Sequence, residues 1–296
     1  MTDAGATRLR SVLYIPGANE RALEKAAGLD ADALILDLED SVAPAAKLEA
    51  RARVCGLVAD GFYGGRQVAI RANGIGTEWH EDDVRLASAA GPAGVLIPKV
   101  GSAADVLACE RLVEAAGAPV GTRLWAMLET PVAILRAHEI ASASERLAVL
   151  VMGTNDLAKE LCAELVPGRE TLLASLSICL LAARAAGRAV VDGVYNDVRD
   201  AEGFEAECRQ GRALGFDGKT LIHPGQLEIC NRAFSPSAEE VIQAQRVIAA
   251  FEEAGQAGRG VATLDGRMIE NLHVANARRI LALSDPDLTG AAGRPR

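Results

Sequence analysis

Eight short apolar runs, separated by helix-like stretches, limit what this chain can fold into. The runs are SVLYIPG (11–17), ALILDLED (33–40), QVAIRANG (67–74), GVLIPKV (94–100), RLWAMLET (123–130), LAVLVMGTND (147–156), AVVDGVY (189–195) and KTLIHPGQ (219–226). Their length and continuous apolar character read as strands of a parallel sheet, buried on both faces. The intervening segments, such as NERALEKAAGLDA, AADVLACERLVEAAG and RETLLASLSICLLAARAAG, are rich in Ala, Leu, Glu and Arg, and several stop at Gly. Helices have that composition and that ending. Eight strand–helix units joined by right-handed crossovers close into a TIM (β/α)8 barrel, an α/β fold. An open doubly wound sheet is the alternative.

The barrel is expected over residues 1–232 and a C-terminal helical extension over 233–296. After Phe234 the segment SPSAEEVIQAQRVIAAFEEAG reads as one Ser-capped amphipathic helix, with Val241, Ile242, Val247, Ile248 and Phe251 on its apolar face. Such a face must pack on something. GQAGRG (255–260) reads as a hinge, which lets the following LDGRMIENLHVANARRILAL dock on its own barrel or on a neighbour. From about Ser284 the chain reads as frayed.

Bulk properties exclude several classes of function. A net charge of −9 with no compensating basic stripe argues against nucleic-acid binding. The six cysteines are scattered without a Cys-x-x-Cys pair, as expected of reduced thiols in a cytoplasmic protein. No apolar stretch precedes Ser11, so no secretory signal is visible. No apolar run reaches the roughly 20 residues of a membrane span. The expectation is a soluble cytoplasmic protein.

In a barrel of this kind the carboxyl ends of the strands face one common site. Glu129 and Asp156 stop two consecutive apolar runs, so their carboxylates should converge there and call for a cation. Two oxygen ligands from the protein, with the rest from water and substrate, suit Mg²⁺. Strand 2 ends in Asp37, Glu39 and Asp40; alternation puts Asp37 and Glu39 on one face, and Asp40 on the other or in the loop. These acids either cap the next helix or, for Glu39 and Asp40, hold metal-bound waters. Arg71 ends strand 3, where its fork suits a carboxylate or a developing enolate; a salt bridge to the strand-2 acids is compatible with that role.

Lys99 is read as an ion-pair partner for Asp or Glu in preference to a Schiff base. His223, before Pro224, is read as an orienting or packing group in preference to an acid or base. Arg21 and Lys25, four apart on one helix face, combine with Arg8 and Arg10 into a basic rim suited to phosphates. The bland reading is that they are simply solvated.

The segments SVLYIPGANERALEKA, ILDLEDSVAPAAK, IRANG, LIPKV, AMLETP, MGTNDLAKEL, CLLAARAA, DGVYND, GFDGKTLIHPGQ and LDGRMIE together resemble the citrate lyase β-subunit-like CoA-ester lyases of the HpcH/HpaI aldolase superfamily. The resemblance runs from about Arg10 to Leu283, with the motifs in family order and a wording closest to malyl-CoA and β-methylmalyl-CoA lyases. It implies Mg²⁺ on Glu129 and Asp156, with Mn²⁺ able to substitute, and acyl-substrate contacts from Arg71 and Glu129. Tyr14, Arg21 and Lys25 would flank CoA, which enters as part of the substrate. Asp265 would be inserted into the active site of an adjacent subunit in a homotrimer or hexamer. Residue patterns alone would make Asp265, beside Gly266 between two helices, a helix cap.

The implied reaction is reversible Claisen-type cleavage of a malyl-, β-methylmalyl- or citramalyl-CoA to a 2-oxo acid (glyoxylate or pyruvate) and an acyl-CoA. Alternatives are a malyl-CoA-type thioesterase, and a citrate lyase β-subunit acting on a citryl thioester within a complex. No G-x-S-x-G elbow is visible, so hydrolysis would rely on water.

Overall fold

The apolar runs form β1 (Ser11–Pro16), β2 (Ala33–Asp37), β3 (Gln67–Arg71), β4 (Gly94–Ile97), β5 (Arg123–Leu128), β6 (Leu147–Met152), β7 (Ala189–Asp192) and β8 (Gly218–Leu221). All neighbours pair in parallel, and β8 pairs with β1 through Val12↔Thr220 to close the barrel. The fold is the expected TIM barrel; a closed sheet rules out the doubly wound alternative. The structure is a computed structural model that describes residues 8–256 and 261–284. Residues 257–260 of the glycine-rich hinge, the tail from 285 and the first seven residues lie outside the described set.

Four helices follow the first four strands: α1 (Glu20–Ala26), α2 (Lys47–Ala59), α3 (His80–Ala90) and α4 (Ala103–Ala115). Short α5 (Pro131–Leu135) and α6 (Ala137–Ala141) follow β5, and α7 (Thr154–Glu160) and α8 (Leu173–Ala185) follow β6. After β7 and β8 come α9 (Ala201–Leu214) and α10 (Leu227–Phe234). Side-chain oxygens start several of them: Asn19, Ser102, Thr130 and Asp200 each accept from the backbone N–H three residues on.

Strand alternation divides the core into two layers. Val12, Ala33, Ile35, Ala69, Leu96, Trp125, Met127, Val149, Val151 and Val191 form the apolar filling inside the barrel. Their sequence neighbours, such as Leu13, Leu34, Leu36, Ile70, Leu124 and Leu150, face outward under the helices. Lys219 is fully buried, with Nζ 2.7 Å from Glu207 and 3.3 Å from Asp192. Burial opposes its ammonium, but the two carboxylates outweigh it and keep the group charged.

The contacts divide the chain into two units, Leu9–Phe234 and a second comprising Met1–Arg8 with Ser235–Arg296. In the second, α11 (Ala238–Gln256) and α12 (Asn271–Leu283) flank β9 (Ala262–Leu264) and β10 (Arg267–Ile269). The hairpin corrects the all-helical reading of this region. Leu264 pairs with Arg267, so Asp265 and Gly266 are the whole loop, with φ of 50° and 75°. Asp-Gly favours a two-residue turn of this hand, and this overrides the cap role read for Asp265. The apolar face of α11 packs through Val247, Ile248 and Phe251 on Ala262, Ile269 and Val274. Ile242 is 57% exposed and does not belong to that face.

Gly218 lies at the barrel's closing seam, where a Cβ would sit 1.7 Å from the Leu9 carbonyl oxygen and 2.6 Å from that of Arg10. Both obstacles are backbone. Gly218→Ala is therefore expected to lower unfolding free energy by about 3 kcal/mol, as overpacking does, read as a shift in urea midpoint.

Candidate active site

The inward faces of the strands end in charge at the carboxyl mouth. Tyr14 continues the inward series of Val12, Asp37 that of Ala33 and Ile35, Arg71 that of Ala69, and Glu129 that of Trp125 and Met127. A cavity of about 390 Å³ opens among them, lined by Tyr14, Asp37, Asp40, Arg71, Met127, Glu129, Met152 and Asp156. Glu129 and Asp156 thus share one cavity with Arg71.

Asp37 and Arg71 are register partners on adjacent strands. Arg71 donates from Nε at 2.6 Å and from Nη2 at 2.8 Å to the two Asp37 oxygens. Its Nη1 lies 2.9 Å from Glu39 Oε2 and its guanidinium 4.9 Å from the Tyr14 ring centre. Burial pushes the Asp37 carboxyl up, but Arg71 outweighs it and holds the group below its usual range. Asp37 also accepts from the Glu39 and Ser41 amides. It anchors the arginine, the salt bridge read for Arg71 and the strand-2 acids, and also the following turn, which the sequence did not single out.

Glu39 and Asp40 lie beyond the end of β2, yet Asp37 and Glu39 still meet on one side, at the Arg71 guanidinium, while Asp40 belongs to the loop. The turn built on Asp37, not strand alternation, brings Glu39 there. Glu39 is buried behind the cavity, 3.1 Å from Lys99 Nζ, as the ion-pair reading of Lys99 anticipated. Burial raises the Glu39 pKa in spite of Arg71. Asp40 is exposed and 3.9 Å from Arg71. Lys47, also overlooked, donates to the Leu38 and Glu39 carbonyls at 2.8 and 2.7 Å and fixes the turn from below.

Glu129 is 1% exposed, and its Oε1 accepts from the Lys99 amide at 2.7 Å. Burial first, and the negative Glu39 second, push its carboxyl up to about 7. A Cβ on Gly153 would lie 2.4 Å from Glu129 Oε2, so glycine is what admits this carboxylate beside β6. Asp156 is not at a strand end as expected. β6 stops at Met152, and Asp156 sits in the first turn of α7, partly exposed, where a helix favours an acid. Among the described residues no group of three or more His, Cys, Asp or Glu is placed to hold a metal. A cation here would take two carboxylates from the chain. The acid crowding and the raised Glu129 fit such an ion.

The four-residue basic rim is not formed. Arg10 binds Asp32 at 2.7 Å, and both precede their strands, at the barrel's amino end. Arg8 donates to the Leu283 carbonyl within the second unit. Arg21 and Lys25 are exposed on α1; Arg21 lines a shallow depression with Asn19, Glu49 and Arg53. His223 accepts from the Gly225 amide and caps a short turn, the orienting role read for it. Asp265, in the second unit, accepts from Arg246 at 2.8 Å. All six cysteines are free. Among the described residues no helix is long and apolar enough to cross a membrane.

Comparison with known proteins agrees with this geometry. The sequence model of the HpcH/HpaI aldolase/citrate lyase family matches residues 10–224, and that of a TIM-barrel C–C bond lyase family matches 169–286. A (3S)-malyl-CoA thioesterase of Cereibacter sphaeroides is 53% identical over 276 residues, 93% of this chain and 94% of the relative. Citrate lyase subunit beta of Escherichia coli is 39% identical over 95% of this chain and 94% of its own. The crystal structure of protein CitE from Mycobacterium tuberculosis with magnesium, acetoacetate and coenzyme A superposes with a TM-score of 0.75 at 30% identity, covering 95% of this chain and 97% of that one. With most of the barrel inside one family's match and full-length relatives well above 30% identity, the chain belongs to the HpcH/HpaI aldolase/citrate lyase family.

Proposed function

We propose that this chain is a Mg²⁺-dependent enzyme that cleaves a short malyl-type CoA thioester reversibly into a 2-oxo acid and an acyl-CoA. The observation that carries the reading is the convergence of buried Glu129, Asp156 and the clamped Arg71 on one cavity. The CitE structure with magnesium, acetoacetate and coenzyme A supports both the ion and the class of substrate. Glu129 and Asp156 would hold the ion, which when bound polarises the oxygens of the oxo-acid half.

The rest of the chemistry falls to the chain's own groups. In the cleavage direction the hydroxyl passes its proton to the carboxylate of Asp265 of a neighbouring subunit, the carbon–carbon pair moves to the acyl carbon, and negative charge develops on the thioester oxygen. Arg71, unable to swing because Asp37 holds two of its nitrogens, presents a fixed positive charge to that oxygen. Glu39 acts through Arg71, and Asp40, on the cavity wall, is free to order water. Asp265 of a neighbouring subunit, in a homotrimer or hexamer, returns a proton to the acyl carbon; in the condensation direction it removes one. Its place at an exposed two-residue turn suits a group delivered to another chain. Tyr14 flanks the acyl end of CoA, and exposed Arg21 and Lys25 attract its phosphates.

A second reading is hydrolysis of the same thioester, favoured by the 53% identity to a (3S)-malyl-CoA thioesterase. Among the described residues no cysteine lines the cavity, and no histidine does to activate the hydroxyls of Ser41, Thr154 or Thr220, so water would be the nucleophile. Incubation with malyl-, β-methylmalyl-, citramalyl- and citryl-CoA separates the two. Acyl-CoA with glyoxylate, pyruvate or another oxo acid marks cleavage; free CoA with the intact hydroxy acid marks hydrolysis. Either activity is expected to vanish with EDTA, and activity that survives chelation refutes the metal assignment.

Glu129 titrates in the folded protein near 7, above its ordinary 4.5. The stability this lends the metal-free protein is present below 4.5 and lost as pH rises through 7. Mg²⁺ should therefore raise the melting temperature more at pH 8 than at pH 6, with proton release on binding. Glu129→Gln and Asp156→Asn should each remove the Mg²⁺-dependent rise. Arg71→Lys keeps a charge but loses the two-pronged clamp; kcat is expected to fall about 100-fold, with the Mg²⁺-dependent rise in melting temperature retained.

A further inference from the structure

Lys99 occupies a backbone conformation that its side chain does not favour. Its φ is 53°, in the left-handed region that few non-glycine residues enter. Such a conformation persists only where the surroundings impose it, and it concentrates at functional sites. Lys99 follows Pro98 just beyond β4, and this twist directs its N–H at Glu129 Oε1, 2.7 Å away. It is a short, charge-assisted bond to a carboxylate that is 1% exposed. The opposite end of the residue is looser. The side chain is 45% exposed, and Nζ reaches Glu39 at 3.1 Å.

We propose that Lys99 is a positioning residue for the metal carboxylate, acting through its left-handed backbone amide and not through its ammonium group. The amide ties down Oε1, while Gly153 leaves room for Oε2 on the opposite side. The carboxylate is held between a donor and a close-packed backbone, and its plane is set before any cation arrives. Partners that orient a ligand in this way commonly govern about 10- to 100-fold in metal affinity. The ammonium has a separate task, which is to neutralise Glu39 beside Arg71. The inference rests on Glu129 being a metal ligand, as proposed above.

The two tasks separate by substitution. Lys99→Gly removes the ammonium but adopts a positive φ without strain. Lys99→Val also removes the ammonium, and its branched Cβ resists that conformation. Mn²⁺ binding to metal-free protein, followed by calorimetry or by the electron paramagnetic resonance of free Mn²⁺, reads the result without turnover. The expected outcome is that the valine variant binds Mn²⁺ about 10-fold more weakly than the glycine variant. Equal constants for the two variants would overturn the assignment to the backbone. Lys99→Asn, whose residue type tolerates the left-handed region, should group with glycine, and Lys99→Ala should fall between glycine and valine. This ordering keeps the test decisive should the valine variant fail to fold. Wild-type protein that binds no Mn²⁺ would refute the metal site itself, together with this inference.

Discussion

The site depends on one buried ion pair between adjacent strands. Asp37 and Arg71 are register partners, and the guanidinium fork spans both carboxylate oxygens. Bringing either charge out of water alone would be costly. Together, with the Glu39 and Ser41 amides on the carboxylate, they form a unit whose hydrogen bonds are largely satisfied. Arg71 thereby becomes a fixed positive wall rather than a mobile side chain, and the turn after β2 takes its shape from the same carboxylate.

That wall does not balance the charge around it. Among the described residues, the lining of the cavity carries four carboxylates, Asp37, Asp40, Glu129 and Asp156, against Arg71 as its cation, an excess of three negative charges. It is felt at Glu129, whose carboxyl is pushed up to about 7 by burial first and by neighbouring negative charge second. A divalent cation offsets most of it. In the proposed metal site two side-chain ligands would then suffice, because the attraction would come from the whole mouth and the geometry from Glu129 and Asp156.

Much of the fold was legible because buried parallel strands leave a signal along the chain itself. Continuous apolar runs located all eight strands, and the ends of two of them led to Arg71 and Glu129, whereas Tyr14 was reached only through the family resemblance. What could not be read was where each strand hands over to the next segment. Asp156 looked like a strand end because its run stays apolar up to Gly153, yet three further residues already belong to a helix. The basic rim failed for a related reason. Arg10 and Arg21 are near in sequence, but β1 lies between them, and its two ends are at opposite mouths of the barrel. Asp265 carried a usable signal in its Asp-Gly pair between short apolar stretches, but the surrounding helical composition masked it. The left-handed amide of Lys99 left no trace in composition, since nothing in Ile-Pro-Lys-Val announces a positive φ.

Cleavage and hydrolysis of one thioester differ less in residues than in the fate of charge. Both place negative charge on the thioester oxygen, and in the proposed site both would draw on Arg71 and on an ion held by Glu129 and Asp156. The cavity's own walls are mixed, with Met127 and Met152 beside the carboxylates. Such walls suit a short carbon skeleton that carries a carboxylate. What separates the outcomes is whether a proton donor or a water molecule reaches the acyl half first. In the proposed assembly that choice rests with the hairpin tip carrying Asp265. An acid delivered on a covering segment both protonates and excludes water, so the same closure favours cleavage on two counts. A cover that seats loosely would turn a similar site toward hydrolysis, and relatives with different activities can then share this barrel.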